Sequence, residues 1–393
     1  MIEIKDKGSC CGCSACFNIC PQKCITMVED NEGFLYPQVN KDKCNNCKLC
    51  EQVCPCINNK SHEEETEAYV VQNKDDDVRL ESTSGGAFTA IAEHVLELGG
   101  LVYGAAYDND FNVIHKFVSS KEELKIFRGS KYVQSSIGKS FLEIKKFLEL
   151  GKKVCFSGTP CQIQGLKLFL RKDYENLITV DVVCRGVPSP KLWRKYIQFH
   201  KKNKYGYLKD VHFRDKHFGY AGSTMALYFE NGKVKYSEPN VQFFKKAFFA
   251  GMSVRPSCYN CRFKTVERVS DITMFDCWKV NNYRKELDDD KGTTALIIHS
   301  NYGKELFNSI KKSLKYVKVD VNSIIQSDGD MAVKLPSKNI KRDSFFKDVD
   351  ELSISELNKK YFPLSIKRCL IIIAKPILTK LKLLNVLKRK IKM

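Results

Sequence analysis

Cys10, Cys13, Cys16 and Cys20 are followed by Pro21, and the pattern returns 34 residues later as Cys44, Cys47, Cys50, Cys54 and Pro55. Each run reads C-x2-C-x2-C-x3-C-P. Thiolates separated by two residues can wrap one corner of an iron–sulfur cubane, and the fourth cysteine of each run then reaches across to the other cluster. The spacing predicts two 4Fe-4S clusters, one held by Cys10, Cys13, Cys16 and Cys54, the other by Cys44, Cys47, Cys50 and Cys20. Zinc is the competing metal, but zinc sites are usually built from two separated C-x2-C pairs rather than triplets ending in Cys-Pro. A module of this kind carries single electrons over a short distance. Cys11, Cys24 and Cys56 fall outside the grid and read as small buried hydrophobes beside the clusters.

Eleven of the eighteen cysteines lie between Cys10 and Cys56, and the others are spread along the chain. Cys161 follows "VCFSGTP" at a strand-to-helix turn, Cys184 ends "LITVDVVC", and Cys258 and Cys261 form "SCYNC". Loops at the carboxyl ends of parallel strands converge on one crevice, where ligands bind. Four thiolates from three such loops could hold a third cluster, with Cys277 in reserve; the plainer reading is buried core cysteines, which suits Cys155 inside its apolar strand. Anion-binding elements fall in the same loops. Ser84, Gly85 and Gly86 in "STSGGAFT" open a helix whose free amides and dipole favour a phosphate. Gly158 and Thr159 in "SGTPC" repeat the device, and "FRGSKY" adds Arg128 and Lys131. Together they predict a phosphate-bearing cofactor, although Ser-Gly before a helix often serves only as a cap.

The elements that must position these residues follow from periodicity. "AYVVQ", "LVYGAAY", "KKVCFSG" and "LITVDVVC" read as strands. "GGAFTAIAEHVLELGG", "IGKSFLEIKKFLELG", "PCQIQGLKLFL" and "SPKLWRKYIQFHKK" read as helices. Their alternation predicts an α/β domain with a mainly parallel sheet, preceded by an α+β ferredoxin-like module. "MALYFENGKVKYS" is a hairpin turning at Asn231 and Gly232. The expected organisation is a two-cluster domain over 1–58, an acidic linker over 59–67, a cofactor-binding α/β domain over 68–335, and a polar segment with a basic tail over 336–393.

The formal charge is +19, and the stretch from Ser365 to Met393, with seven Lys, two Arg and no acid, supplies nine of those charges. No basic patch interleaved with aromatics stands out elsewhere, so no nucleic-acid partner is expected. Read as a helix, the tail places Ile366, Leu370, Ile373, Ile377, Leu381, Leu384, Leu387 and Ile391 along one stripe, with most of its lysines elsewhere. Such a helix lies at an anionic membrane interface or packs its stripe on protein. The start "MIEIKDKGSC" has no apolar signal region, so the expected location is cytoplasmic, with peripheral contact on the inner face of the membrane, and the thiols are expected to stay reduced.

As an ordered set, "TSGGAFTAI", "RGSKYVQS", "FSGTPCQIQGL", "DVVCRGVPSP", "FRDK", "RPSCYNCRFK" and "SDITMFDCW" resemble the beta subunit family of coenzyme F420 hydrogenases and dehydrogenases, here joined to an N-terminal two-cluster ferredoxin. The resemblance spans roughly residues 1–300. It implies FAD beside the clusters, a cluster on the loop cysteines, and an oxidoreductase exchanging electrons between a small hydride donor, the reduced deazaflavin or another, and a redox partner protein. His217, Tyr220 and Trp278 would line the donor pocket if they are not structural. No general acid–base pair is evident, so catalytic side chains stay unassigned. The alternative is an electron-transfer adaptor that docks on a partner enzyme without chemistry of its own.

Overall fold

The structure is a computed structural model that describes residues 1–58, 66–236 and 238–363. The basic tail therefore lies outside the described residues, as does most of the acidic linker. Clustering of the backbone divides the chain into two units, one of residues 1–191 and 254–337, the other of residues 192–253 and 338 onward.

The first unit begins with the cysteine grid wrapped around very little regular structure. Helix α1 (Ala15–Ile19) and helix α2 (Leu49–Gln52) follow the second cysteines of the two runs closely and carry the third, and strands β1 (Ile25–Glu29) and β2 (Leu35–Val39) pair antiparallel between them. Both helices start from a residue in the left-handed region, Ser14 at φ 61° and Lys48 at φ 62°. The backbone of the two runs thus turns alike, as their equal spacing requires.

The chain then enters an alternating α/β region. Strand β3 (Glu67–Asn73) leads through α3 (Asp76–Glu81) into α4 (Ala87–Glu97), and β4 (Leu101–Tyr107) forms a hairpin with β5 (Val113–Val118). Helix α5 (Ser140–Glu149), β6 (Val154–Gly158), α6 (Pro160–Leu170) and β7 (Leu177–Val182) follow. The apolar spacing of α5 explains its seating, since Phe141, Ile144 and Leu148 are buried on one side. Pro160 at its first turn gives α6 a pre-set φ and loses no needed N–H.

After α7 (Pro190–His200) the second unit carries an antiparallel sheet of β8 (Lys202–Asn203), β9 (Gly206–Asp215), β10 (Thr224–Phe229) and β11 (Val234–Tyr236), then α8 (Pro239–Phe249). The β10–β11 hairpin is the one expected at Asn231-Gly232, with Gly232 at φ 82°. The unit's core is aromatic. Trp193 packs 5.0 Å from Phe244 and 5.1 Å from Phe213, and all three are essentially excluded from water.

The chain returns to the first unit with β12 (Ile272–Asp276), β13 (Thr294–Ile298), α9 (Asn301–Ile310), β14 (Leu314–Val319) and α10 (Val321–Ser327). Helices α11 (Arg342–Glu351) and α12 (Ile354–Tyr361) complete the second unit. The large sheet has the order β14-β3-β13-β12-β7-β6-β4-β5. Strands β12, β7, β6 and β4 are mutually parallel, while β13, β14 and β5 pair antiparallel with their neighbours. The sheet is therefore mixed, with a parallel centre. Its interior strands are near-continuous apolar runs because helices cover both faces.

The cysteine segment shares a core with this sheet. Cys11, Cys13, Ala15 and Val53 pack in the same apolar cluster as Tyr103, Phe141, Phe156 and Ile163. Gly165 on α6 makes the approach possible, because a Cβ there would stand 3.0 Å from the Cys13 sulfur.

Candidate iron–sulfur centre

Cys10, Cys13, Cys16 and Cys54 line one cavity, walled on its apolar side by Ile2, Ile4, Met27 and Pro37. These four are the cysteines expected to share a cluster, and the fourth comes from the other run. Cys11 and Cys56 line the same cavity. Of the second set, Cys20, Cys44 and Cys50 lie in an apolar cluster that also holds Cys24 and, from the first set, Cys16 and Cys54. Cys47 is exposed. The backbone N–H of Ile2 donates to the Cys50 sulfur at 3.2 Å, and the sulfurs of Cys20 and Cys24 lie 3.4 Å apart. Hydrogen bonds to thiolates of this kind are one of the levers that set a cluster's potential.

The donor chemistry, all thiol, is that of an iron–sulfur site. Among the described residues no three His, Cys, Asp or Glu side chains close on a point as they would around one metal ion. Four of the grid cysteines line a cavity, and all eight donors are thiols, the ligands that iron–sulfur clusters take.

Two members of the third set follow the carboxyl ends of parallel strands, as expected, and the other two come from a turn that precedes β12 instead. Cys161 is in the first turn of α6 after β6, Cys184 follows β7, and Cys258 and Cys261 belong to the turn around residues 256–260. These four thiols stand near enough to oppose one another's ionisation. Burial pushes Cys184 up to about 12 and Cys261 up to about 11, and neighbouring cysteines of the set add to both shifts. Burial likewise raises Cys258, with Cys184, Cys161 and Cys261 contributing. Lys264 reaches the same place, its ammonium donating to the Cys184 carbonyl at 2.6 Å. Cys277 faces elsewhere: it is wholly buried, and its thiol points to Asp328 Oδ2 at 3.8 Å. Cys155 is wholly buried in the sheet core, as its apolar strand suggested.

The two thiol regions meet. Cys161 and Cys261 pack in the same apolar cluster as Cys11, Cys13 and Cys56, and Cys11 and Cys56 also border the first cavity. Cys11 and Cys56 are thus the link between sets rather than isolated packing residues. Nothing in the spacing could have revealed this, since Cys11 and Cys161 are 150 positions apart.

The anion-binding elements are partly brought together. Thr83 accepts a hydrogen bond from Ser130 N at 2.6 Å, joining "STSGG" to "RGSKY". Arg128 pairs with Glu81, and Lys131 lies 5.5 Å above the Tyr107 ring. Ser84 and the Gly85 amide both bond Thr294 Oγ1 at 2.8 Å, while Gly86 takes the left-handed conformation (φ 76°) as the cap of α4. At the start of α6, Thr159 and Gln162 form a reciprocal capping box, with Gly158 just before it. Several of these groups therefore already have partners within the fold. His217 and Tyr220 belong to the second unit, where His217 stacks on Tyr236 at 4.3 Å, and Trp278 sits beside Asp328 through its backbone N–H.

One residue was missed in the sequence. Arg255 is wholly buried and donates to the carbonyl of Cys10 at 2.8 Å, to its sulfur at 3.6 Å, to the Leu35 carbonyl at 3.0 Å and to Gln134 Oε1 at 2.8 Å. The only available signal was its place just before "PSCYNC".

Two stretches of the chain match known families. Residues 151–323 match the model that describes the C terminus of the coenzyme F420 hydrogenase/dehydrogenase beta subunit, and residues 9–58 match the 4Fe-4S dicluster domain. The dicluster match covers both cysteine runs of the grid. A coenzyme F420-dependent sulfite reductase of Methanocaldococcus jannaschii is 30% identical over 175 residues, 42% of this chain and 26% of that protein. An uncharacterized ferredoxin of the same organism is 35% identical over 52 residues, 13% of this chain and 66% of that protein. The chain thus spans about a quarter of the sulfite reductase and about two thirds of the ferredoxin. A chain of the F420-reducing NiFe hydrogenase complex from Methanosarcina barkeri aligns over 76% of this chain and 91% of its own length, with 16% identity and a TM-score of 0.45.

Proposed function

We propose that this chain is an iron–sulfur flavoprotein oxidoreductase that moves electrons between a small hydride donor, reduced coenzyme F420 or another two-electron donor, and ferredoxin-type clusters through FAD. Cys10, Cys13, Cys16 and Cys54 would hold one 4Fe-4S cluster, Cys44, Cys47, Cys50 and Cys20 a second, and Cys161, Cys184, Cys258 and Cys261 a third. Ser84, Gly85, Gly86, Arg128, Lys131, Gly158 and Thr159 would border the flavin phosphates. When bound, FAD supplies the exchange between hydride and single-electron chemistry, and the clusters carry the single electrons.

The observation that carries the reading is the packing of Cys161 and Cys261 in one apolar cluster with Cys11 and Cys13, which line the Cys10 cavity. It joins the loop thiols to the ferredoxin-like segment, so electrons would cross between the sets over a short, dry path. The chain's own residues exclude water from that path: Cys11, Cys13 and Phe156 are buried, and Val53 and Phe263 pack beside them. The exposed Cys47 end of the second set would face a redox partner protein.

A second reading is favoured by the self-satisfied anion elements. The capping box at Thr159, the Arg128–Glu81 pair and the Ser84–Thr294 bond fit an adaptor that carries clusters without flavin. Anaerobic reconstitution separates the two. The enzyme reading expects bound FAD that bleaches with a reduced deazaflavin or nicotinamide, and iron near twelve atoms per chain, about four per cubane in three clusters. Iron without flavin supports the adaptor. Cys258→Ser is expected to lower iron by about four atoms while the grid clusters persist; unchanged iron would remove the third cluster from the proposal.

A further inference from the structure

We propose that Arg255 is a positioning residue that raises the reduction potential of the cluster held by Cys10, Cys13, Cys16 and Cys54 and clamps that cluster's loop to the turn carrying Cys258 and Cys261. The inference rests on the reading that those four cysteines hold a 4Fe-4S cluster.

Arg255 is 0% exposed, yet among the described residues its hydrogen-bond partners are two carbonyls, an amide oxygen and a cysteine sulfur, with no carboxylate. A buried guanidinium without a counter-charge is strongly disfavoured. The side chain is nevertheless held firmly. Its guanidinium lies 4.2 Å from the centre of the Tyr36 ring and 5.4 Å from that of Phe34. Gln134 accepts from it and at the same time donates to the Cys11 carbonyl at 3.0 Å. Gly12 stands at φ +73°, and a Cβ there would come within 2.8 Å of the guanidinium. The loop "CCGC" is therefore shaped around this cation. A glycine in the left-handed region gives it the room.

The missing counter-charge is supplied by thiolate. A 4Fe-4S cluster with four cysteine ligands is anionic, and taking up one electron from a reductant adds one more negative charge. A fixed cation that donates N–H to a ligand sulfur favours the reduced state, and more strongly in a low-dielectric site than in water. The same residue reaches the third thiol set through its backbone, because the Arg255 carbonyl accepts from Cys258 N at 3.0 Å. The side chain thus grips one set while the main chain grips the other. No comparable cation bonds a sulfur of the second grid set among the described residues, where Cys50 takes a backbone N–H and Cys20 lies against Cys24.

The test is an EPR-monitored redox titration of the reconstituted full chain, with Cys47→Ser assigning the signals by removing the second grid cluster. Arg255→Met is expected to lower the potential of the Cys10 cluster by at least a tenfold change in its reduced-to-oxidised ratio at fixed potential, equivalent to about 59 mV for one electron. The second grid cluster should stay where it is. Arg255→Lys keeps a charge but loses the forked donors, and its fall should be smaller and confined to the same cluster. No shift in Arg255→Met, or equal shifts in both grid clusters, overturns the proposal. If Arg255→Met fails to hold iron, Arg255→Lys decides: a fall confined to the Cys10 cluster supports it, and an unmoved potential overturns it. A wild-type chain that forms no 4Fe-4S cluster overturns the proposed function as well, and that failure is visible before any variant is made.

Discussion

Gly85 shows how little freedom a single residue has at the rim of the large sheet. A Cβ at this position would stand 2.6 Å from the Val71 carbonyl and 2.7 Å from Thr294 N, both backbone atoms that cannot turn aside. Overpacking of this kind costs about 1–3 kcal/mol. Gly85→Ala is therefore expected to lower the chemical-denaturation midpoint, and the Thr294 contacts that hold Ser84 should loosen with it. Gly99, by contrast, has open space around its Cβ position. Its positive φ of 71° still makes it a natural helix end, so Gly99→Ala should cost only the backbone strain. A denaturation midpoint that is unmoved in Gly85→Ala would contradict the packing described for this loop.

At the scale of elements, β9 and β10 of the second unit carry an ion-pair network that makes stability depend on pH. His212 on β9 lies 3.0 Å from Asp210 and 3.2 Å from Asp215, and Tyr228 on β10 donates to Asp215. Burial works against the charge on His212, but the hydrogen bonds to Asp210 and Asp215 outweigh it and push the pKa up to about 9. A folded-state pKa above the ordinary histidine value means that the stabilisation is fully present below about 6.5 and is lost as pH rises through about 9. The His212 side chain is 43% exposed, so solvent screens much of the effect. The thermal midpoint should fall modestly between pH 6.5 and 9 in the wild type, and less steeply in His212→Gln. Parallel pH profiles for the two proteins would show that the network contributes nothing measurable.

At the scale of the whole molecule, the question is what the chain docks on. No helix among the described residues is long and apolar enough to cross a membrane. The tail beyond Pro363 holds nine positive charges without an acid, and each Lys or Arg near an anionic lipid surface contributes about 1 kcal/mol. Sedimentation with anionic liposomes is expected to carry down the full chain at low salt and to leave a chain ending at Pro363 in solution. Equal behaviour of the two would assign the apolar stripe of the tail to protein packing. A redox partner, in contrast, would meet the grid at the exposed Cys47.

Local patterns carried much of this protein. The two cysteine runs were legible because a cubane's corner fixes its ligand spacing along the chain, and Cys54 of the second run lines the cavity of the first. Strand β4 was readable to the residue as "LVYGAAY", and the helices beginning "AFTAI" and "PCQIQ" carried plain period and cap signals. What the tertiary structure decided is everything that depends on distant partners. The antiparallel places of β13 and β14 come from pairing choices that an apolar run does not encode, since a strand buried on both faces looks alike in either direction. The meeting of Cys11 with Cys161, and the burial of Arg255 against Cys10, arise where loops far apart in the chain fold into one core. A buried charge leaves no periodic trace, because its reason for being there is a single neighbour brought up by the fold.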